Sequence, residues 1–295
     1  MKKTSLSVID FQENLGDREA IDLAVKLGLD GIDFDLAPNS VDRENSVYSL
    51  GIDKVREYYS SLGKYAEDKG IKVVQTHGRF LGYGSSPEGN ELFVKNSELD
   101  MVATAALGAK YTVFHTPAIN HIGDRPDEEL YSILTGLCVS VLPYAEREGV
   151  NIALETHGTA KKYNKMEFFG IPEHLLEGIR RVKEASPYGD RICVCVDTGH
   201  TNLATTLGYP SVGDVIRQLG SLVKVLHLHD NNGIRDQHKM LLTGDIDWND
   251  TLAALDEIGF DGYYNLETML LHFGKELMYD EADMSVKILK NLLKG

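Results

Sequence analysis

Eight short runs of apolar and β-branched residues recur along the chain, and each is followed by a stretch with helical periodicity. The runs cover residues 4–10, 31–37, 72–78, 110–117, 151–158, 191–200, 223–231 and 262–268. Their starts lie 27 to 41 residues apart, which leaves room for one helix and two loops between consecutive strands. Eight such units in 295 residues match the repeat number of a barrel. We therefore predict an α/β fold, a (β/α)8 TIM barrel forming a single domain over residues 1–295.

A doubly wound open sheet shares this alternation and is the main alternative fold. Such sheets are rarely eight units long without a glycine-rich phosphate loop, and no GxGxxG or GxxxxGK[ST] motif follows the first run here. Several units open instead with a glycine just before the strand, as in REGVNIAL, where glycine suits the left-handed end of the preceding helix. The longest loop-like segment, residues 158–170, is a candidate lid.

The charge balance restricts the class of partner. The chain has 30 Lys and Arg against 45 Asp and Glu, a formal charge of −15, which disfavours non-specific binding to nucleic acid or to an anionic membrane. The N-terminal MKKTSLSVIDF lacks the apolar core of a signal peptide, and no apolar stretch is long enough to span a membrane. We expect a cytoplasmic protein with no nucleic-acid or membrane partner, and the odd number of cysteines predicts reduced core thiols at Cys138, Cys193 and Cys195.

The stretch RICVCVDTGH, residues 191–200, shows how one of these strands leads into a site. Side chains alternate along a strand, so Cys195 and Asp197 share a face. The Thr198–Gly199 step can bring His200 back toward the same side, and aspartate with histidine suits Mn, Mg or Zn. Taken alone, the stretch is equally compatible with an Asp197 that caps the next helix and a His200 that only packs.

Polar side chains that can act in chemistry stand at the ends of consecutive predicted strands. They are Asp33, Asp35, His77, His115, Glu155, His157, Asp197, His200, His227, His229, Asp230 and Glu267. Seven of the ten histidines lie at these ends or, for His238, in the loop after the seventh strand. In a barrel the C-terminal strand ends form one mouth, where catalytic groups are found. Unpaired buried carboxylates are costly, so we expect a divalent cation among them.

Five motifs together resemble the xylose-isomerase-like barrel superfamily. They are ALETHG (153–158), VDTGH (196–200), HLHDNNG (227–233), DQH (236–238) and NLET (265–268). The superfamily contains sugar and sugar-phosphate isomerases and epimerases, inosose dehydratases and the endonuclease IV branch. The resemblance extends over nearly the whole chain.

For the epimerases of this group, the resemblance implies one divalent ion, Mn, Mg, Co or Zn. Its ligands would be Glu155, Asp197, His227 and Glu267. The superfamily pattern H-x-x-D pairs His227 with Asp230, but His229 has the same parity along the strand and is the alternative ligand. We prefer His227.

The activity that the resemblance implies is metal-dependent isomerisation or epimerisation of a sugar or sugar phosphate, with Glu155 and Glu267 as the catalytic pair. The cation polarises a carbonyl and acidifies the neighbouring C–H; one glutamate takes that proton and the other returns it on the opposite face. The expected substrate-binding residues are His77, His115, His200, His229, Asp236 and His238. The basic residues on offer for a substrate phosphate are Arg79, Lys161, Lys162, Lys165 and Arg235. A homo-oligomer is compatible with the sequence.

An endonuclease IV-like phosphodiesterase with up to three Zn ions is the main alternative. Its nine ligand types occur in order at His77, His115, Glu155, Asp197, His200, His227, Asp236, His238 and Glu267. The charge of −15 and the lack of a basic stripe argue against a DNA substrate. An inosose-type dehydratase is a further alternative, since dehydration starts with the same proton abstraction.

The sequence leaves the role of two side chains undecided. His157 faces either the mouth or outward, and Trp248 is either a packing anchor or a sugar platform.

Overall fold

Eight parallel strands form the centre of the molecule. A computed structural model describes residues 2–80 and 82–294. Strands 1 to 8 are Lys3–Ser7, Gly31–Asp35, Lys72–His77, Tyr111–His115, Asn151–Glu155, Ile192–Asp197, Val223–His227 and Tyr263–Leu266. Each pairs with the next in sequence up to strand 7, and strand 8 pairs with strand 1. A parallel bridge between Leu228 and Leu266 joins the ends of strands 7 and 8. The predicted barrel is thereby confirmed, and the open doubly wound sheet is excluded.

Helices cover the outside of the strand ring. The α-helices are Ile9–Leu15, Asp17–Lys26, Ile52–Asp68, Pro87–Ala106, Ile119–Ile122, Asp127–Glu148, Pro172–Ala185, Thr198–Thr205, Val212–Leu219, Trp248–Glu257 and Met278–Leu292. Short 3-10 turns lie at Val47–Leu50, Lys161–Tyr163, Phe168–Gly170, Gly189–Arg191, Gly220–Leu222 and Lys275–Leu277. No helix among the residues described is long and apolar enough to cross a membrane.

The helix Asp127–Glu148 shows how the sequence sets these boundaries. Three acidic residues stand in its first turn and Arg147 in its last, which complements the helix dipole at both ends. Gly149 follows with φ 72°, in the left-handed region that ends helices and that glycine adopts without strain. The chain then enters strand 5 two residues later, so the helix end fixes where the strand begins.

On the side of strands 4 to 7, the barrel interior below the mouth is apolar. A small cluster of Val113, Ala153, Cys193, Cys195 and Val225 fills it, with each residue at most 7% exposed. All three cysteines of the chain are buried and free, and burial raises the pKa of the Cys193 thiol to about 12. The polar residues at the ends of strands 4 to 7 therefore lie above apolar side chains, where unpaired charge is costly.

The segment 158–170, the candidate lid, is an anchored hairpin. Thr159–Ala160 pairs antiparallel with Lys165–Met166. The Glu167 carboxylate accepts backbone N–H bonds from Ile119 and Asn120, at 2.6 and 3.1 Å. These bonds join the hairpin to the short helix after strand 4 and fix one wall of the mouth.

Candidate metal centre

Four consecutive strand ends bring three carboxylates and one imidazole together. Glu155, Asp197, His227 and Glu267 each offer a donor atom, and these atoms lie within 4.8 Å of one another. The strand register explains the meeting, since Asp197 pairs with His227 across strands 6 and 7 and Glu155 pairs with Cys195 across strands 5 and 6. We refer to these four residues as the four-donor cluster.

The cluster fits a divalent cation. Both Glu155 carboxylate oxygens and both His227 ring nitrogens are buried without a well-aligned hydrogen bond. Buried polar groups normally have partners, because the lost hydration is otherwise uncompensated. Carboxylate oxygen and imidazole nitrogen are the donors that Zn and Mn accept. A cation among the four residues would satisfy these donors together.

Histidines surround Glu155. Its carboxylate lies 3.1 Å from Nδ1 of His200, 3.2 Å from Nε2 of His115 and 3.4 Å from Nε2 of His77. Burial alone would raise the pKa of Glu155, but the close rings of His115, His200 and His227 outweigh burial and hold the pKa well below its usual value. Glu155 is thus kept as an anion at the floor of the mouth.

The pKa of Glu267 is shifted in the opposite direction, upward. Burial raises its pKa to about 7, with Glu155 and Asp197 adding to the rise and His227 and His238 opposing it. Its side chain is 14% exposed, whereas that of Glu155 is 1% exposed. The two glutamates of the cluster therefore differ in both accessibility and charge preference.

Asp197 has two roles that the sequence left as alternatives. Its carboxylate accepts the backbone N–H of His200 at 2.6 Å and so caps the helix Thr198–Thr205. The same carboxylate belongs to the four-donor cluster. Capping and a place at the mouth are therefore compatible, because the helix starts directly at the strand end.

Two further groups of donors adjoin the cluster. His200, Asp236 and His238 form one, with the Asp236 carboxylate 3.2 Å from Nε2 of His200 and 3.4 Å from Nε2 of His238. His77 and His115 form the other beside the shared Glu155. The residues expected from the sequence to line the mouth therefore converge there.

Their exposure separates a rim from a floor. The side chains of His115, His200, His238 and Asp236 are 12%, 14%, 24% and 33% exposed, respectively. His77 is 5% exposed and His229, an expected substrate contact, is fully buried. Of the six expected substrate-binding residues, the four at the rim are therefore the most accessible at the mouth.

His157 also faces the mouth, which the sequence left open. It is 9% exposed, its ring stacks on that of His200 at 5.8 Å, and its Nε2 is buried without a hydrogen bond. Burial lowers its pKa to about 3, with His115 and His200 adding to the fall. Its spacing of two from Glu155 was the available signal, but side-chain alternation is not dependable past a strand end.

Asp33 was expected at the mouth from the sequence, without a specific role. Its Oδ2 accepts amide N–H bonds from Gln75 and Asn265, each at 3.0 Å, and lies 3.3 Å from Nε2 of His227. The His227 contact is too poorly aligned to count as a hydrogen bond. Asp33 sits beneath the cluster as a fully buried carboxylate. It lies in the middle of strand 2, Gly31–Asp35, and not at the strand end where the sequence placed it.

Asp230 and Trp248 brace the loop after strand 7. Trp248 donates its indole N–H to Asp230 at 2.9 Å and is 3% exposed, so it is a packing anchor and not a sugar platform. The other Asp230 oxygen accepts the backbone N–H groups of Asn231 and Ile246. Asp230 is occupied by these bonds and does not join His227 in the cluster.

Arg79, a candidate for binding a substrate phosphate, is engaged elsewhere. Its guanidinium donates to both oxygens of Asp100, at 2.7 and 3.0 Å, and to the carbonyls of Leu36 and Asn39. It is 8% exposed. Four of its five N–H donors are thus engaged inside the protein, so Arg79 serves the structure here and is not placed to bind a substrate phosphate.

Comparisons with known proteins find relatives of two kinds. "Probable endonuclease 4" proteins of Bacillus cytotoxicus and Bacillus thuringiensis are each 30% identical over 199 residues, 62% of this chain and 61% of theirs. The match thus spans about 61% of the length of these relatives. A solved L-ribulose 3-epimerase superposes with a TM-score of 0.74 at 16% identity, covering 100% of this chain and 95% of that one.

A second solved structure carries a metal, and a family model extends over most of the chain. IolI protein with a bound zinc atom superposes with a TM-score of 0.71 at 20% identity, covering 99% of this chain and 96% of that one. At such identities these two superpositions show the fold. The family model described as xylose isomerase-like TIM barrel matches residues 21–285, which confirms the resemblance drawn from the motifs. The chain belongs to the xylose isomerase-like TIM barrel family.

Proposed function

We propose that the chain is a divalent-metal-dependent isomerase or epimerase of a sugar or sugar phosphate. The observation that carries the proposal is the four-donor cluster at the mouth, in which Glu267 is partly exposed, at 14%, while the other three side chains are buried. Family membership supports it, as does the fold shared with a solved L-ribulose 3-epimerase.

Three of the four donors form a fixed floor, and the fourth faces the substrate. A cation bound to them would polarise a substrate carbonyl and make the neighbouring C–H acidic. Glu267, the exposed carboxylate, takes that proton. Glu155, which reaches the mouth from strand 5, is the second carboxylate of the pair. Because it rests as an anion, it first receives a proton from a neighbouring ring N–H, for which Nδ1 of His200 lies 3.1 Å away, and then returns that proton on the opposite face. The lower exposure of Glu155 assigns the first proton transfer to Glu267.

The rim supplies hydroxyl-binding groups. His115, His200, Asp236 and His238 present ring nitrogens and a carboxylate to solvent around the mouth. Such groups both donate and accept hydrogen bonds, as the hydroxyls of a sugar require. The same set suits an isomerase, an epimerase or a dehydratase, since all three begin with proton abstraction beside a carbonyl.

A His200→Asn variant is expected to bind substrate less well while keeping its cation. His200 contacts Asp236 and Glu155, at 3.2 and 3.1 Å, but does not belong to the four-donor cluster. Loss of one hydrogen bond to a polar partner costs about 1 to 3 kcal/mol. We expect KM to rise or kcat/KM to fall moderately, with unchanged metal content by elemental analysis. A variant that loses its metal would instead make His200 a required ligand.

A multi-zinc phosphoesterase is the second candidate, favoured by the two donor groups beside the cluster. His200, Asp236 and His238 lie within 4.8 Å of one another at their donor atoms, and Glu155 is shared with His77 and His115. The curated relatives named "Probable endonuclease 4" support this reading. Against it, the formal charge is −15, which opposes binding to a phosphate backbone.

Deuterium exchange discriminates the two candidates. Free and phosphorylated ketoses are incubated in D₂O with the protein and Mn, Mg, Co or Zn, and the metal content of chelator-free protein is measured in parallel. Deuterium at one carbon of a ketose, with one cation per chain, is the expected result. Absence of exchange with every ketose, together with about three Zn per chain and cleavage of a phosphodiester probe, would replace the isomerase proposal with the hydrolase.

A further inference from the structure

We infer that His229 is a positioning residue that holds Asp197 in place, and that it is neither a metal ligand nor a substrate contact. The inference rests on the proposed function only in that it takes Asp197 to be a ligand of the cation. It also gives a reason for the glycine in the VDTGH motif, because Gly199 leaves the space in which the His229 ring lies.

One ring nitrogen of His229 is committed to Asp197. Nε2 lies 2.9 Å from Oδ1 and 3.1 Å from Oδ2 of that carboxylate, and both residues are fully buried. An ionised carboxylate only accepts hydrogen bonds, so Nε2 is the nitrogen that carries the proton. A protonated ring nitrogen has no lone pair to offer to a cation.

The other edge of the ring lies against the start of the next helix. A Cβ placed on Gly199 would be 1.9 Å from Cε1 and 2.3 Å from Nδ1 of His229. With 2.7 Å from the same Cβ to Nε2, these distances place Gly199 against Cε1, on the side of the ring nearer to Nδ1, inside the protein. A cation at Nδ1 would need a bond of about 2.0–2.1 Å and three more ligands, and the helix start occupies that side.

His229 and His238 cannot share an ion, although their donor atoms come within 4.8 Å together with Glu267. The two rings stack face to face, with centroids 3.8 Å apart and an angle of 8° between their planes. The lone pair of an imidazole nitrogen lies in the plane of its ring. Two nearly parallel planes at this separation do not meet near the rings, so one cation cannot lie in both.

Thr198 holds the backbone of His229 in register with the motif. Its hydroxyl donates to the His229 carbonyl at 2.8 Å and accepts the His229 N–H at 3.1 Å. Thr198 thus fixes the main chain, Gly199 gives room for the ring, and Asp197 accepts its N–H. Three successive residues of the VDTGH motif therefore determine the position of one histidine, which follows strand 7.

The consequence for metal binding follows from the role of such hydrogen bonds. A group that hydrogen-bonds a ligating side chain orients that ligand, and its loss typically costs 10- to 100-fold in metal affinity. The ring of His229 also supports His238 by stacking. His229 therefore links the four-donor cluster to the loop that carries Asp236 and His238.

Two substitutions of His229 separate the effect of its N–H donor from the effect of its flat ring. His229→Phe keeps a flat ring against His238 but has no donor for Asp197, whereas His229→Gln keeps an amide N–H at similar reach. Zn affinity is measured by chelator competition without substrate, and the Co(II) absorption spectrum reports the ligand set. We expect roughly 10- to 100-fold weaker Zn binding in His229→Phe, near-wild-type binding in His229→Gln, and Co(II) spectra of unchanged shape.

Two more variants guard against a simple folding defect. Gly199→Ala pushes the ring out of place without changing it, and should weaken Zn binding as His229→Phe does. His121→Phe makes the same substitution at an exposed histidine and should leave Zn affinity and the unfolding temperature unchanged. If His229→Phe does not fold, the comparison of Gly199→Ala with His229→Gln still decides the question.

Distinct results overturn the inference. Wild-type Zn affinity in both His229→Phe and Gly199→Ala would show that His229 does not position Asp197 for metal binding. A Co(II) spectrum with one nitrogen ligand fewer in His229→Phe would show that His229 is itself a ligand. Equal losses in His229→Gln and His229→Phe would also contradict a role through the donor. The predicted Zn effects without deuterium exchange into any ketose would instead refute the proposed isomerase and leave the role of His229 in place.

Discussion

Turnover of a Glu267→Gln variant is expected to fall by roughly 10²- to 10⁴-fold, the range typical for removal of a general base. The substitution keeps an oxygen donor for the cation but removes the group that accepts the proton. Metal should therefore still bind, at reduced affinity, while the rate of solvent-deuterium exchange into the ketose collapses. Elemental analysis and the exchange rate, measured on the same preparation, separate the two effects.

The matched control for Glu267→Gln is Glu91→Gln. Glu91 is an exposed side chain on the outer helix Pro87–Ala106 and does not belong to the four-donor cluster, so the substitution makes the same chemical change outside the site. It should exchange at the wild-type rate. If Glu267→Gln also retained the wild-type exchange rate, Glu267 would be an ordinary strand-end carboxylate and the proposed proton transfer would have no base.

A Glu155→Gln, Asp197→Asn double variant is expected to lose the cation of the four-donor cluster. The two substitutions replace buried anions by neutral amides at a site where carboxylate charge balances the ion. Glu155 also lies beside His77 and His115, so in a multi-zinc protein the same variant would lose more than one ion. Metal content per chain, measured after dialysis against the free ion, reports the outcome.

The corresponding control changes two exposed carboxylates, Glu91→Gln and Glu44→Gln, and should keep its full metal content. Circular dichroism and the unfolding temperature establish that the double cluster variant is folded. A folded Glu155→Gln, Asp197→Asn protein with wild-type metal content would show that the cation binds elsewhere, and the ligand assignment would have to be abandoned.

The sequence predicts the barrel well because the signals for it are local and repeated. Strand 6 illustrates this. Residues 192–196 alternate β-branched and small side chains, and Asp197, which follows them, caps the next helix. A helix end such as Gly149 is likewise set by the preference of one residue. Eight repetitions make the fold prediction tolerant of errors at individual boundaries.

The candidate site is less predictable because its arrangement depends on contacts between distant segments. That Arg79 is paired with Asp100 is invisible in the sequence, since both are ordinary charged residues 21 positions apart. His157 and His229 follow strand ends by two residues each, where alternation no longer determines direction. Their side chains are placed by Gly199 and by neighbouring rings, which periodicity does not describe.

The seam between strands 7 and 8 has a consequence for the stability of the whole barrel. At this seam the ring is joined by the Leu228 bridge, whose hydrogen bonds run from Leu228 N–H to the Asn265 carbonyl and from Glu267 N–H to the Leu228 carbonyl. His227 and Glu267 of the four-donor cluster stand on opposite sides of it. An ion held by both residues would connect strands 7 and 8 at the point where a single bridge joins them. Ion binding and closure of the barrel would then be thermodynamically linked, so that each stabilises the other.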